Sequence, residues 1–156
     1  RRALDHYCLP LLRKRITPTT SELNTIISRL ESTYPTMERR RLLSKVREWF
    51  RKRREYMSSK VFTLCERLFP HPIDTQKALD KAVHTLKHTP QLLESIVRTA
   101  NLDLEDISIA REFCYEKSVV FLKNALKRAQ TNNNHAYGSL ATAETTEALD
   151  EDEKNS

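Results

Sequence analysis

The residues of this 156-residue chain best suited to a chemical role are the arginines and lysines between positions 40 and 54. At 100° per residue along a helix, four of them fall within about 60° of one another. This arginine strip consists of Arg40, Arg47, Arg51 and Arg54. A second basic row lies across the polar face and consists of Arg41, Lys45 and Lys52. Guanidinium groups form paired hydrogen bonds with phosphates and with guanine edges, so the strip indicates a polyanionic partner. Two carboxylates interrupt the charge at helical spacing from basic residues, which allows the ion pairs Glu48–Lys52 and Glu55–Arg51.

The other reactive side chains form no pattern that predicts catalysis or a bound metal. His84 and His88 have the four-residue spacing of a helical zinc pair, but no acidic third ligand completes an HExxH pattern. The three cysteines form no CxxC pair, and Cys114 is predicted to be a small core residue. The single glycine, Gly138, leaves residues 1–137 without the glycines that P-loops and dinucleotide turns require. We therefore expect neither an enzyme nor a cofactor.

Charge is distributed unevenly along the chain. Residues 1–70 contain 17 Lys and Arg against 7 Asp and Glu, a net charge of +10, whereas residues 71–156 contain 10 against 14, a net charge of −4. A basic half joined to an acidic half favours a polyanion-binding face on one side of the molecule. No apolar run approaches the roughly 20 residues of a membrane-spanning helix, so no membrane partner is expected.

Helix signals place the basic residues on a long central helix over residues 36–69, which contain no proline or glycine. Apolar residues repeat along one side of it at Leu43, Phe50, Met57 and Leu64, and the stripe is widened by Leu42, Val46, Trp49, Val61 and Leu68. Arg53 projects towards this stripe. It is expected to lay its stem along apolar surface or to pair with a carboxylate from another helix.

Two shorter helices are predicted before the central one. Residues 2–15 form a short helix that is interrupted or ended near Pro10, because proline lacks the N–H that a helix interior needs. Residues 20–32 form an amphipathic helix, and Thr19 and Glu22 have the spacing of a capping box at its start.

Three further helices are predicted after the central one. Asp74 is expected to cap residues 75–88, and Thr89-Pro90 is a start signal for the next helix. Asp103 is expected to cap a last helix that runs to about Gln130 and buries Ile107 on its core face. Residues 131–156 are polar and acidic, without apolar periodicity, and are predicted to be disordered.

The run Val46-Arg47-Glu48-Trp49-Phe50-Arg51-Lys52-Arg53-Arg54 resembles the recognition helix of a homeodomain. In that family a valine, a Trp-Phe pair and two arginines recur in this order, and the positions between the core residues face the major groove. The resemblance spans residues 16–56 at most, and Lys52 stands where the family has an adenine-reading asparagine. The three helices of the family can be assigned to this chain in two ways. In one, residues 20–30 are the first helix and the second and third are fused. In the other, which we favour, residues 2–15 are the first helix, residues 20–30 are the second, and the turn lies at 33–36.

These observations predict an all-α fold of five or six helices. A basic N-terminal helical unit, residues 1–69, is joined by its long helix to a C-terminal bundle, residues 70–130, with the acidic tail 131–156 following. The predicted function is binding of double-stranded DNA in the nucleus, as part of a transcriptional or chromatin regulator, through Arg40, Arg47, Arg51, Lys52 and Arg54. The bundle is expected to bind a protein partner or to dimerise. The alternative is a helical assembly module that binds no nucleic acid and presents its arginines to an acidic protein surface.

Overall fold

The structure is a computed structural model that describes the backbone of residues 2–142 and the side chains of residues 2–132. Within these residues the chain is all-α and has six helices. In chain order they are α1 (Arg2–Arg15), α2 (Thr20–Thr33), α3 (Arg39–Leu68), α4 (Gln76–His88), α5 (Pro90–Ala100) and α6 (Ile107–Thr142). The 30-residue helix α3 is central and packs against α1, α2, α5 and α6. The predicted fold class is therefore confirmed. None of the described helices combines the length and the hydropathy that crossing a bilayer requires.

The two N-terminal helices begin and end largely where local signals predict. The Thr19 hydroxyl accepts from the Glu22 N–H at 3.2 Å, and the Glu22 carboxylate accepts from the Thr19 N–H at 2.8 Å, which completes the capping box. The hydrogen bond from the Thr19 N–H lowers the pKa of the Glu22 carboxyl group. The prediction of a break near Pro10 is wrong, because α1 continues through it. Pro10 is exposed, and the burial of Cys8 and Leu12 on either side stabilises the helix despite the missing N–H.

Among the C-terminal helices, α5 starts at Pro90 as predicted, whereas α4 and α6 start a little later than predicted. Thr75, and not Asp74, caps α4, since its hydroxyl accepts from the Ala78 N–H at 3.0 Å. Asp103 does not cap α6. Its φ of 60° lies in the left-handed region, and its carboxylate accepts instead from Arg13 Nε at 3.1 Å. The cap of α6 is Asp106, whose carboxylate accepts from the Ser108 N–H at 2.8 Å.

Helix α6 differs from its prediction at both ends. Ile107 was expected on the core face but is 51% exposed, because it lies in the first turn of the helix beside the Asp106 cap. The helix extends past Gln130 to Thr142, so at 36 residues it is longer than α3. Asparagine lowers helix propensity without breaking a helix, which allows α6 to continue through residues 132–134. The prediction of disorder is therefore wrong for residues 131–142, and the rest of the predicted tail, residues 143–156, lies outside the described residues.

One main core contains side chains from all six helices, including Leu12, Ile27, Phe50, Leu86 and Ile96. Helices α4 and α6 add a smaller cluster of Leu79, Leu122 and Leu126. Residues from the predicted units 1–69 and 70–130 therefore share the main core, and the domain division at residue 69 stays a prediction.

Candidate nucleic-acid interface

The first half of α3 is amphipathic, and its buried side determines which basic residues face solvent. Val46 and Phe50 are essentially inaccessible and Trp49 is 9% exposed, as the apolar spacing predicts. The rings of Trp49 and Phe50 pack edge to face with centroids 5.0 Å apart. With these positions buried, the residues on the opposite side of the helix are directed to solvent.

The arginine strip is present, but its four members have different surroundings. Arg40, Arg47 and Arg51 are exposed, and Arg54 is half-buried. Arg40, Arg47 and Arg54 form no ion pair with any side chain in the part of the chain that the structure describes. A guanidinium without a carboxylate partner can bind a phosphate without first breaking an internal ion pair. Three of the four arginines meet that condition.

Arg51 is the exception, because two carboxylates hold it. Its Nε and Nη2 donate to the two oxygens of Glu48 at 2.7 and 2.6 Å, and its Nη1 donates to Glu55 at 2.7 Å. Hydrogen bonding to Arg51 lowers the pKa of Glu48, and the same contacts raise the pKa of Arg51. The predicted Glu55–Arg51 pair is therefore confirmed, whereas the two-pronged Glu48–Arg51 contact at i, i+3 was missed. We call these three residues the Arg51 clamp.

The second basic row is also exposed, at Arg41, Lys45 and Lys52. Lys52 Nζ lies 3.9 Å from Glu48 Oε2, which confirms the predicted Glu48–Lys52 ion pair, although the contact is long. On a helical projection the two carboxylates of the Arg51 clamp lie between the strip and this row. The exposed side of α3 thus presents two basic rows separated by an acidic line. We call it the basic face.

Helix α6 limits the basic face at its C-terminal end. Further along the side of the arginine strip, Phe62 and Cys65 pack on α6. The Phe62 and Phe121 rings are 6.0 Å apart, and Cys65 Sγ donates to Ser118 Oγ at 3.3 Å. From Arg40 to Arg54 the open part of the helix is about 21 Å long at 1.5 Å per residue.

Arg53 anchors α3 to α1 and does not belong to the basic face. The Trp49 indole Nε1 donates to Asp5 Oδ1 at 2.8 Å, and Arg53 Nη2 lies 3.7 Å from the same oxygen. The Arg53 guanidinium also lies 5.1 Å from the centre of the Trp49 ring. The predicted pairing of Arg53 with a carboxylate of another helix is confirmed. No sequence pattern near Arg53 predicts that its partner is Asp5, which lies far away in sequence.

The remaining reactive side chains form no site among the described residues. The rings of His84 and His88 are tilted by 42° with centres 4.2 Å apart, and no group of three or more His, Cys, Asp or Glu side chains in this part of the chain could hold a metal. Cys8, Cys65 and Cys114 are buried and reduced. Burial raises the pKa of Cys8 to about 12 and that of Cys114 to about 11, which disfavours the reactive thiolate.

Comparison of the chain with protein-family models, curated proteins and solved structures finds no match. The helix boundaries are compatible with both assignments of the homeodomain resemblance, since α1, α2 and an unbroken α3 occur in both. The resemblance therefore stays a prediction.

Proposed function

We propose that this chain is a DNA-binding helical domain of a nuclear transcriptional or chromatin regulator, and that the basic face contacts duplex DNA. The observation that supports this best is the concentration of unpaired positive charge on one side of one helix. Between Arg39 and Tyr56, α3 carries nine basic residues and two acidic ones, and five of the nine form no ion pair among the described side chains: Arg40, Arg41, Lys45, Arg47 and Arg54. Arg40, Arg47 and Arg54 have no carboxylate partner among the described side chains.

Phosphate contacts would supply most of the affinity. DNA bears one negative charge per roughly 1.7 Å of duplex, and each neutralised phosphate releases counterions. The basic face is about 21 Å long, which matches several successive phosphates on both sides of a groove. Two basic rows suit the two phosphate backbones that flank a groove. Arg47 is the strip member best suited to reading a base, because it is exposed and near the middle of the face.

The test is the salt dependence of binding to random-sequence duplex DNA. Replacing Arg40, Arg47 and Arg54 with alanine should reduce the slope of log affinity against log salt by about 0.9 for each phosphate that is no longer neutralised. The matched control removes three exposed arginines elsewhere, Arg67, Arg98 and Arg128, with the same change in net charge. Circular dichroism establishes that both variants fold. If both bind DNA equally well, the face is wrongly assigned.

Base reading and phosphate binding are separable at Arg47. If this arginine binds a phosphate, Arg47→Ala weakens binding to all sequences alike. If it reads a base, the same substitution costs about 1–3 kcal/mol on the preferred site alone. Comparing the variant on a selected site and on random duplex distinguishes the two roles.

One observation favours the alternative, an assembly module that meets an acidic or mixed protein surface. The Arg51 clamp places two carboxylates in the middle of the basic face, where they repel phosphate. In this alternative the C-terminal bundle also binds a protein partner, and the wild-type chain shows no DNA binding even at low salt. The wild-type measurement in the same salt series therefore decides between the two functions.

A further inference from the structure

A groove of about 710 Å³ lies between the first turn of α1 and the exposed side of α3. Leu4 and Trp49 contribute apolar surface to it, and Lys45, Lys52 and Tyr56 line it from α3. We call it the Asp5 groove, because Asp5 also lines it and joins its two walls through the indole of Trp49. The groove borders the second basic row, opposite the arginine strip.

The carboxylates of the Asp5 groove already have partners, whereas one of its cations does not. Asp5 accepts from Trp49 and lies near Arg53, and Glu48 belongs to the Arg51 clamp. Lys45 forms no ion pair with the side chains that the structure describes, and Lys52 has only the 3.9 Å contact to Glu48. The lysines can therefore accept anionic groups, and the apolar surface beside them can accept an aliphatic side chain.

The same chain contains a segment that combines anionic groups with an aliphatic side chain. Residues 147–153 read Glu-Ala-Leu-Asp-Glu-Asp-Glu, which places Leu149 among five carboxylates. The segment lies outside the described residues, and eleven residues, 143–153, follow the last residue of α6 up to its end. At about 3.3–3.6 Å per extended residue, Leu149 can lie up to about 23–25 Å from the end of α6 and Glu153 up to about 36–40 Å.

We propose that residues 147–153 bind in the Asp5 groove of the same chain, with Leu149 on the apolar surface and the carboxylates against Lys45 and Lys52. The charges are complementary, since the segment is strongly acidic and the groove opens onto the most basic part of the molecule. This interaction does not depend on DNA binding. If the proposed function also holds, the acidic segment competes with phosphate for Lys45 and Lys52.

Trp49 provides the readout, because it is the only tryptophan, it lines the groove, and its indole N–H donates to Asp5, which also lines the groove. In the ¹⁵N-labelled 156-residue chain it gives one indole resonance. The test variant is Asp150→Asn, Glu151→Gln, Asp152→Asn and Glu153→Gln. The matched control neutralises four exposed carboxylates elsewhere, at Glu66, Asp74, Glu112 and Glu116. We expect the test variant to move the Trp49 resonance by more than its line width and the control to leave it in place.

A second pair of variants assigns the effect to the groove. In a chain carrying Lys45→Gln and Lys52→Gln, neutralising the acidic segment should no longer move the indole resonance. In the matched chain carrying Lys77→Gln and Lys87→Gln, two exposed lysines of α4, the shift should persist. The remaining amide resonances report whether each variant is folded. The proposal is overturned if the resonance is the same in wild type and test variant, or if the shift survives removal of the Lys45 and Lys52 charges. A shift that depends on protein concentration would assign the segment to a second copy, which also overturns binding within one chain.

Discussion

Neutralising the two carboxylates of the Arg51 clamp should strengthen binding of this chain to duplex DNA. Glu48 and Glu55 together engage three nitrogens of Arg51 at 2.5–2.7 Å, so they occupy the donors that would otherwise reach a phosphate. The double variant Glu48→Gln, Glu55→Gln keeps side-chain size and helix propensity while removing both negative charges. It leaves the core residues of α3 unchanged.

The size of the effect follows from counterion release. One additional phosphate contact by Arg51 raises the slope of log affinity against log salt by about 0.9. Between about 50 and about 200 mM salt, a fourfold range, that slope change alters the ratio of the two affinities by about 3.5-fold. The gain should therefore be largest at low salt and should shrink as salt is added, because all three residues are about half exposed and their charges are screened.

Fluorescence anisotropy with a labelled random-sequence duplex measures both affinities. The control variant, Glu66→Gln with Glu112→Gln, removes two exposed carboxylates outside the basic face, so it corrects for net charge alone. Adding Arg51→Gln to the clamp variant should return the salt slope to its wild-type value. Equal binding by the clamp variant and the control would refute a competition between Glu48, Glu55 and phosphate for Arg51, and so would a steeper slope that persists without Arg51.

Three further predictions concern stability and thiol reactivity. Trp49→Phe removes the indole donor to Asp5 and should lower the free energy of unfolding by about 1–3 kcal/mol. Trp49→Ala also removes the buried ring and should lower it by about 3–5 kcal/mol. Guanidinium melts measure both changes, and an unchanged midpoint would contradict burial of this residue. Thr19→Ala should cost about 1 kcal/mol in a urea melt because the α2 cap is removed, whereas Thr20→Ala, next to the cap, should cost less. At pH 8 a disulfide reagent should modify the thiols of the folded chain far more slowly than those of the unfolded chain. Burial raises the pKa of the thiols of Cys8, Cys65 and Cys114, and this lowers the fraction present as reactive thiolate. Equal rates would show that these thiols are accessible.

The helical class, most helix boundaries and the buried side of α3 were all predictable from the order of the residues. These features depend on interactions between residues at most a few positions apart. A scarcity of glycine, the Thr19–Glu22 capping box and the repeat through Phe50 and Met57 all act locally, and local patterns can be read from the chain. Two caps were nevertheless misplaced by one to three residues, because Asp74 and Thr75, or Asp103 and Asp106, are equivalent candidates until the backbone conformation is known.

Only the packing of the helices shows which basic residues have no carboxylate partner among the described side chains. It also shows where the basic face ends. Trp49, Arg53 and Asp5 meet across more than forty residues of sequence, and Cys65 meets Ser118 across 53. Helix α6 covers the continuation of the arginine strip through such contacts, and the Asp5 groove exists only where α1 lies against α3. Contacts of this kind depend on how whole helices pack, which is set by the combined fit of many side chains, so no spacing rule within one helix predicts them.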